Sequence, residues 1–409
     1  MHRCRTIVLF TSLLLTSFLP AGCSAASPAL KFTGADGTTA TIPFLLRNNH
    51  VYVRGTVNAS DSLWFFVDTG AGSNVISAES VPRLGLKTEG LGEAHGAGGT
   101  VAAGRVVGAT IRIAGLEFGD VLTASIPLEP VATQVGLPVE GIVGSPLFQN
   151  AVVEFDYARS VLVVHAPGTF HYAGPGKSVP IEIRPNQHPY VKAAVTLQGG
   201  KPITESFVID TGSASALILG PQFVDQHHAL DSLPKSVTGR SGGVGGSSFN
   251  QVGRVASLAL GPYTLEQPIT TFMQKTGGTI SDAIAGGNIG GDVLRRFKVI
   301  FDYKGKTMTL EPTALYGTPF EADMSGIVFK VLEDGSRAVD VAAVQVGSPA
   351  SEAGVTEGDV VESVDAKPLD NAALAEVRLR LKRPGETVRI GLRRGDVRSE
   401  VTLVTRRLI

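Results

Sequence analysis

The sequence predicts a mainly β protein with two homologous lobes related by pseudo-two-fold symmetry, followed by a small α+β domain. First, short apolar runs alternate with turn residues, and the 409 residues include 49 glycines and only 6% aromatic residues, as is typical of turn-rich β proteins. Second, the motifs of residues 40–165 recur in the same order in residues 181–312, which indicates a duplicated unit. Third, residues 325–409 combine strand-like runs with the start of a short helix at Ser348-Pro349 and a longer helical pattern that Asp370 could cap.

The length, composition and net charge limit the classes of protein to which this chain can belong. A length of 409 residues suggests two or three domains. A hydrophobic content of 43% with 18% charged residues indicates a globular chain with buried cores. The net charge of −1 argues against nucleic acid as the main partner.

The N-terminus, residues 1–25, has the pattern of a secretory signal peptide. Basic residues precede the apolar run Ile7–Leu19, and small residues follow it. We therefore expect an exported protein of the periplasm, the cell envelope or the medium. Alternatively, the Ala-Gly-Cys tripeptide that ends at Cys23 resembles the end of a bacterial lipobox, which would leave a lipid anchor at Cys23. Because Cys4 is the one other cysteine, the mature fold is expected to have no internal disulfide.

The two lobes are predicted element by element from the same signals. In the first, strand-like runs such as Thr41–Leu46 are bounded by turn residues, and Ala78–Leu84 is helix-like. A stretch rich in glycine and proline, residues 166–180, is predicted to be a linker. The order of motifs then repeats, so that His188-Pro189-Tyr190-Val191 corresponds to His50-Val51-Tyr52-Val53.

The motif that organises both lobes is an apolar run that stops at Asp-Thr-Gly. It occurs as Phe65–Gly70 and again as Phe207–Gly212, with the aspartates Asp68 and Asp210 separated by 142 positions. One such turn is common after a strand, but two copies with repeated flanks predict two carboxyl groups that face each other. Carboxyl groups about 3 Å apart cannot both ionise, so that one can act as a general base on water while the other is an acid.

These residues resemble the aspartic proteases, in particular the two-lobed bacterial retropepsin-like and pepsin-like type. The resemblance implies closed β-barrel-like lobes with a substrate cleft between them and with Asp68 and Asp210 as the catalytic pair. The family's second motif, two apolar residues before a glycine, is matched by Ile142-Val143-Gly144 and by Ile289-Gly290-Gly291. The residues implied to support the active-site turns are Thr69, Gly70, Thr211, Gly212, Ser213, Gly144 and Gly291. The glycines implied to lie in the substrate-covering flaps are Gly98, Gly99, Gly245 and Gly246.

The two copies are not identical around the aspartates. Ala71 follows the first Asp-Thr-Gly and Ser213 follows the second, and the alignment above places Val143 opposite Gly290. Because a serine hydroxyl can donate a hydrogen bond to a carboxylate, we expect Asp210 to hold the negative charge and Asp68 to be protonated.

The C-terminal unit, residues 325–409 after a second linker at 313–324, resembles a PDZ domain of the bacterial envelope-protease type. The matching stretches are Gly326–Phe329, Gly347–Gly354 and Glu357–Val361. The resemblance implies a peptide-binding groove at Gly326, Ile327, Val328 and Phe329. A peptide C-terminus would add there as a further strand, with its carboxylate on the amides near Gly326 and Ile327.

Two functions remain open from the sequence. The first is an aspartic endopeptidase that is catalytically complete in one chain, takes a peptide or protein substrate and uses the PDZ domain to recruit substrates or partners. The second is a non-catalytic peptide-binding or scaffold protein of the envelope; retention of both aspartates favours the first. No cofactor or metal is expected, because His227-His228 lacks ligand partners at metal spacing. Ser247 lacks the flanking pattern of a catalytic serine.

Overall fold

The computed structural model describes residues 30–96, 98–119, 121–274, 286–331 and 338–409. The predicted signal peptide and Cys23 lie outside these residues. Within the described residues, no helix is both long and apolar enough to cross a membrane.

Strands dominate all three units. The elements of the first lobe are β1 Leu30–Phe32, β2 Thr39–Arg47, β3 His50–Val57, β4 Leu63–Val67, β5 Asn74–Ser77, α1 Ser80–Arg83, β6 Lys87–Gly96, β7 Gly99–Val107, β8 Ile111–Ile113, β9 Leu116–Phe118, β10 Thr123–Ile126, α2 Glu129–Val135, β11 Val139–Val143, α3 Ser145–Asn150, β12 Val152–Asp156 and β13 Val161–His165. Those of the second lobe are β14 Lys177–Ile183, β15 Pro189–Thr196, β16 Pro202–Asp210, β17 Leu217–Leu219, α4 Pro221–Gln226, β18 Val237–Gly243, β19 Gly246–Arg254, β20 Ser257–Leu260, β21 Tyr263–Glu266, β22 Ile269–Phe272, β23 Gly287–Gly290, α5 Gly291–Leu294, β24 Phe297–Asp302 and β25 Thr307–Pro312. Those of the C-terminal domain are β26 Ile327–Val331, β27 Val339–Val344, α6 Pro349–Glu352, β28 Val360–Val364, β29 Lys367–Pro368, α7 Asn371–Arg380, β30 Thr387–Arg394 and β31 Val397–Val404.

The duplication predicted from the sequence is present in the strand pairing. The first lobe has the order β2-β3-β4-β11-β5-β10-β7-β6, and the second has β14-β15-β16-β23-β17-β22-β19-β18. In each lobe the strand before Asp-Thr-Gly pairs in parallel with the strand of the second motif. The pairings among the described strands do not close into a ring in either lobe, so the closure that we expected of each lobe is not found there.

A six-stranded antiparallel sheet joins the lobes, in the order β2-β13-β12-β24-β25-β14. The two central strands come from different lobes, and Val153 pairs with Phe301 across the middle. Phe148, Phe155 and Phe301 pack against one another there with ring centroids 5.7–6.3 Å apart. The approximate two-fold axis therefore passes through a buried aromatic cluster.

Two predicted boundaries differ from the structure. The first lobe starts before residue 40, because β1 pairs with β9 and Leu30 is buried. The predicted linker 166–180 includes the start of β14, since Lys177–Pro180 pairs with β25 and Val179 is buried. Because glycine and proline at 174–176 are typical of turns, the strand that follows them was assigned to the linker.

The C-terminal domain has its own hydrophobic core and the sheet order β26-β27-β28-β30-β31. Its helices begin where the sequence predicts. The Ser348 hydroxyl accepts from the Ser351 amide (3.2 Å) at α6, and the Asp370 carboxylate accepts from the Ala373 amide (2.9 Å) at α7. Among the described strands, β26 pairs on one side only, so its outer edge is open.

Candidate active site

The two Asp-Thr-Gly turns meet across the interface between the lobes. The Thr69 hydroxyl donates to the Ile209 carbonyl (2.8 Å) and accepts from the Thr211 amide (2.9 Å). The Thr211 hydroxyl donates to the Val67 carbonyl (2.9 Å) and accepts from the Thr69 amide (3.0 Å). Both threonines are buried. Four crossed hydrogen bonds thus fix the separation and orientation of the two turns.

The carboxyl groups of Asp68 and Asp210 lie face to face above this contact. The Gly70 amide donates to Asp68 Oδ1 and the Gly212 amide donates to Asp210 Oδ1, each at 2.7 Å. A Cβ on Gly70 would come within 2.8 Å of Asp210 Oδ1, and one on Gly212 would overlap the Asp68 carboxyl. Glycine is required at both positions by this close approach rather than by the backbone dihedrals.

The surroundings of Asp68 favour its protonated form. Burial is the largest cause, and the adjacent charge of Asp210 and the hydrogen bond between the two carboxyl groups add to it, so that the pKa of Asp68 is raised well above its ordinary value. The amides of Gly70 and Gly212 act in the opposite direction but are smaller causes. This is the electrostatic signature of two carboxyl groups that share one proton.

Asn288 is the residue that distinguishes Asp210 from Asp68. Its amide Nδ2 donates to Asp210 Oδ2, whereas its Oδ1 is buried without a hydrogen-bond partner among the described residues. No hydrogen bond from the Ser213 hydroxyl to Asp210 is found in this part of the chain. Asp210 therefore has a hydrogen-bond donor, as expected for the carboxyl group that holds the negative charge. That donor is Asn288 rather than Ser213.

The alignment of the second motif needs a correction of one residue. Ile289 pairs with Ile209 as Val143 pairs with Val67, so Gly290 is the counterpart of Gly144. Gly291 occupies the position of Ser145 at the start of the following helix. The expected asymmetry between Val143 and Gly290 is therefore wrong. The register of the parallel strands instead places Asn288 at the position of Ile142, and this is the difference between the two copies.

Two histidines approach the site from equivalent positions and were not predicted. The ring of His50 is hydrogen-bonded to the backbone of Gly212, and its burial lowers its pKa to about 4. Burial also lowers the pKa of His188, which is close enough to Asp210 to be influenced by its charge. The repeated His-x-Tyr pattern was the sequence signal for both. With a pKa of about 4, the imidazole of His50 is neutral at mildly acidic pH.

The predicted flap glycines lie at the tips of two hairpins, β6–β7 and β18–β19. The tips touch each other, because the Gly98 amide donates to the Val244 carbonyl (2.8 Å). A side chain on Gly98 would overlap the backbone of Gly246, and one on Gly245 would overlap Gly99. Both lobes therefore contribute a flap, and the two flaps close on each other.

In the C-terminal domain three of the predicted peptide-binding residues lie on β26 and Gly326 lies just before it, but the amides of Gly326 and Ile327 are already engaged. Asp323 Oδ1 accepts from the Ser325 amide (2.8 Å) and the Gly326 amide (3.0 Å). The Ile327 amide donates to the Ser325 hydroxyl (3.1 Å). A peptide carboxylate held by the amides of Gly326 and Ile327, as the sequence suggested, would have to displace these bonds. The open edge of β26 is free of that conflict.

Comparison with known families agrees with this arrangement. Residues 53–147 and 193–293 match the aspartyl protease family, and residues 324–405 match the PDZ domain family. The chain therefore has an aspartyl protease region in two segments, followed by a C-terminal PDZ domain. The first segment contains Asp68 and the second contains Asp210, so the family match spans both turns. No curated protein matches the sequence. Within the described residues, no cluster of potential ligands could hold a metal ion.

Replacement of Asn288 by leucine is expected to slow peptide hydrolysis. The variant keeps the number and branching of the side-chain heavy atoms but removes the donor to Asp210. A hydrogen bond to a charged group contributes about 1.5–3 kcal/mol, so kcat/KM should fall by roughly 10- to 100-fold. Ile142→Leu, at the equivalent position of the first lobe, is the control and should change kcat/KM by less than about 2-fold, as a conservative core substitution. Equal effects of both substitutions would show that Asn288 acts through packing alone.

Proposed function

We propose that this chain is an aspartic endopeptidase whose catalytic groups are Asp68 and Asp210. The observation that carries the proposal is the face-to-face carboxyl pair held by crossed threonines, with the proton favoured on Asp68 and an amide donor on Asp210. Both carboxyl groups come from one chain, so the catalytic unit is a monomer.

The reaction follows from the difference between the two carboxyl groups. Asp210, ionised, removes a proton from a water molecule between the pair, and the water oxygen attacks the peptide carbonyl carbon. Asp68, protonated, donates to the carbonyl oxygen as negative charge develops there. The C–N bond then breaks as Asp210 gives the proton that it took from water to the leaving nitrogen. At the same time Asp68 takes back a proton from a hydroxyl of the tetrahedral intermediate, which becomes the product carboxyl group. The pair returns to one proton shared by two carboxyl groups.

The PDZ domain gives the enzyme a second peptide-binding surface, and we assign it the recruitment of substrates or partners. Its open strand edge can add an extended peptide by main-chain hydrogen bonds. The N-terminal pattern at residues 1–25 supports export, to the periplasm, the envelope or the medium, either free or lipid-anchored at Cys23. The mass of the mature chain distinguishes simple cleavage from lipid attachment.

Cleavage assays with the purified mature chain test the proposal. We expect internal cuts in unstructured peptides at acid to mildly acidic pH, with loss of activity as pH rises through the raised pKa of Asp68, because the acid then loses its proton. A statine-type peptide, whose hydroxyl mimics the attacking water, should inhibit, and chelators should not. Peptide binding without cleavage at any pH between about 3 and 7 would instead support the non-catalytic alternative.

A further inference from the structure

A cavity of about 340 Å³ lies where the PDZ domain meets the protease lobes. We call it the junction cavity. Its walls are α2 of the first lobe at Pro130, the second flap at Gly246, the open edge of β26 at Val328 and α7 at Arg378. The PDZ groove is therefore not an isolated surface, because its far wall is the protease itself.

The charge of the junction cavity is predominantly positive. Lys330, Arg378 and Lys382 line it, and Asp323 is the one acidic residue among its described lining. Arg378 and Lys382 are half-buried and form no ion pair within 4 Å with any described residue. Burial removes water from the Arg378 guanidinium and lowers its pKa. A partly desolvated cation without a close counter-ion is a favourable partner for a carboxylate.

Asp323 offsets part of this charge, because it interacts electrostatically with both Arg378 and Lys382. Its Oδ1 already accepts three hydrogen bonds, from the Ser325 amide, the Ser325 hydroxyl (2.6 Å) and the Gly326 amide. Burial raises the pKa of Asp323, while these hydrogen bonds and the charge of Lys382 act in the opposite direction. One carboxyl group therefore stands against three cations, Lys330, Arg378 and Lys382, so the lining of the cavity keeps a net positive charge.

The cavity is connected to the flap by direct contacts. The Thr238 amide of β18 donates to Gln345 Oε1 (3.2 Å), and the Gln345 amide donates to the Gly326 carbonyl (2.8 Å). The strand that begins the PDZ groove is thereby joined to the base of the second flap. Gly243 and Gly246 of the flap tip line the same cavity as β26.

We propose that the junction cavity is a substrate subsite that binds an acidic segment of the same polypeptide that is cleaved. The segment extends β26 as an additional strand, and its carboxylate pairs with Arg378 and Lys382. This deepens the proposed function: acidic segments outside the cleaved sequence select the substrate. The carboxylate can belong to an aspartate or glutamate side chain or to the C-terminus.

Matched peptides test this subsite with the full-length chain. Each peptide has one cleavable core, a flexible Gly/Ser spacer of varied length and a tail that contains either two glutamates or two glutamines, made as free acid and as C-terminal amide. The glutamate tail should raise kcat/KM by about tenfold at the best spacer length, through KM with kcat unchanged. If the free acid of the glutamine-tailed peptide is also cleaved with a higher kcat/KM than its amide, the C-terminus is the source of the carboxylate.

The variant Arg378→Gln/Lys382→Gln should abolish this preference and leave cleavage of the glutamine-tailed amide unchanged. Arg383→Gln/Lys367→Gln is the charge-matched control, because both side chains are exposed and outside the cavity. No preference in the wild type, or a preference that survives the double substitution, overturns the subsite. If the chain cleaves no peptide, binding of the labelled tails tests the subsite instead. The proposal requires that the glutamate tail bind more tightly than the glutamine tail and that the double variant lose this difference.

Discussion

Asp68→Asn and Asp210→Asn should each reduce peptide hydrolysis by at least about 10²- to 10⁴-fold, the range expected when a positioned acid or base is removed. An amide cannot take a proton from water, and one remaining carboxyl group cannot serve as both base and acid. The measurement is kcat/KM on one fluorogenic peptide across the active pH range. Asp61→Asn, in the exposed turn before β4, is the control and should be as active as the wild type.

Asp68→Asn should also stabilise the fold at neutral pH, although it abolishes activity. The pKa of Asp68 in the folded chain is raised above its ordinary value of 3.8. A carboxyl group of this kind contributes its full stability below that ordinary value and loses it as pH rises through the folded pKa. Tm of wild type and variant should therefore coincide near the ordinary pKa and diverge as pH increases, with the variant higher. Full activity in either aspartate variant would disprove the dyad, and a variant less stable at neutral pH would contradict the protonation of Asp68.

The crossed threonines give the second large expected effect. Thr69→Val keeps the shape of the side chain but leaves the Ile209 carbonyl and the Thr211 amide without their partner. Each buried polar group left unpaired costs about 1–3 kcal/mol, so the free energy of unfolding should fall by about 2–6 kcal/mol. Thr211→Val should have an effect of the same size, because its two hydrogen bonds mirror those of Thr69. Denaturant unfolding measures both.

The same substitutions should reduce kcat, because the turns no longer hold the carboxyl groups at a fixed separation. Thr270→Val is the matched control: Thr270 is fully buried, but its hydroxyl donates to Pro268, two residues earlier in the same lobe. Its cost should be about 1–3 kcal/mol, because one polar group, the Pro268 carbonyl, loses its partner where Thr69→Val leaves two unpaired. Because Thr69 and Thr211 act as one unit, the double variant should lose less than the sum of the single losses. Additive losses would mean that the two hydroxyls are independent.

The two lobes and the turns at Asp68 and Asp210 could be predicted from the sequence, because duplicated local motifs can be recognised there directly. The helix caps at Ser348 and Asp370 were predictable because serine and aspartate are preferred at the N-cap, where their side chains accept from backbone amides. Asn288 was not, since its role depends on the register of β23 against β16, and a glycine pair at 290–291 allowed two alignments. The junction cavity depends on how one folded domain rests on another, and local patterns contain no information on that placement.

The crossed contact between Thr69 and Thr211 also has a consequence for the time at which the enzyme becomes active. Each turn completes its hydrogen bonds with backbone groups that come 140 or more positions away in the chain. During synthesis the first lobe emerges alone, with Asp68 present but with neither Asp210 nor the partners of its threonine. Under the proposed mechanism, the newly made half-protein therefore lacks half of its catalytic pair, and we expect it to cut no peptide until the second lobe has folded against the first.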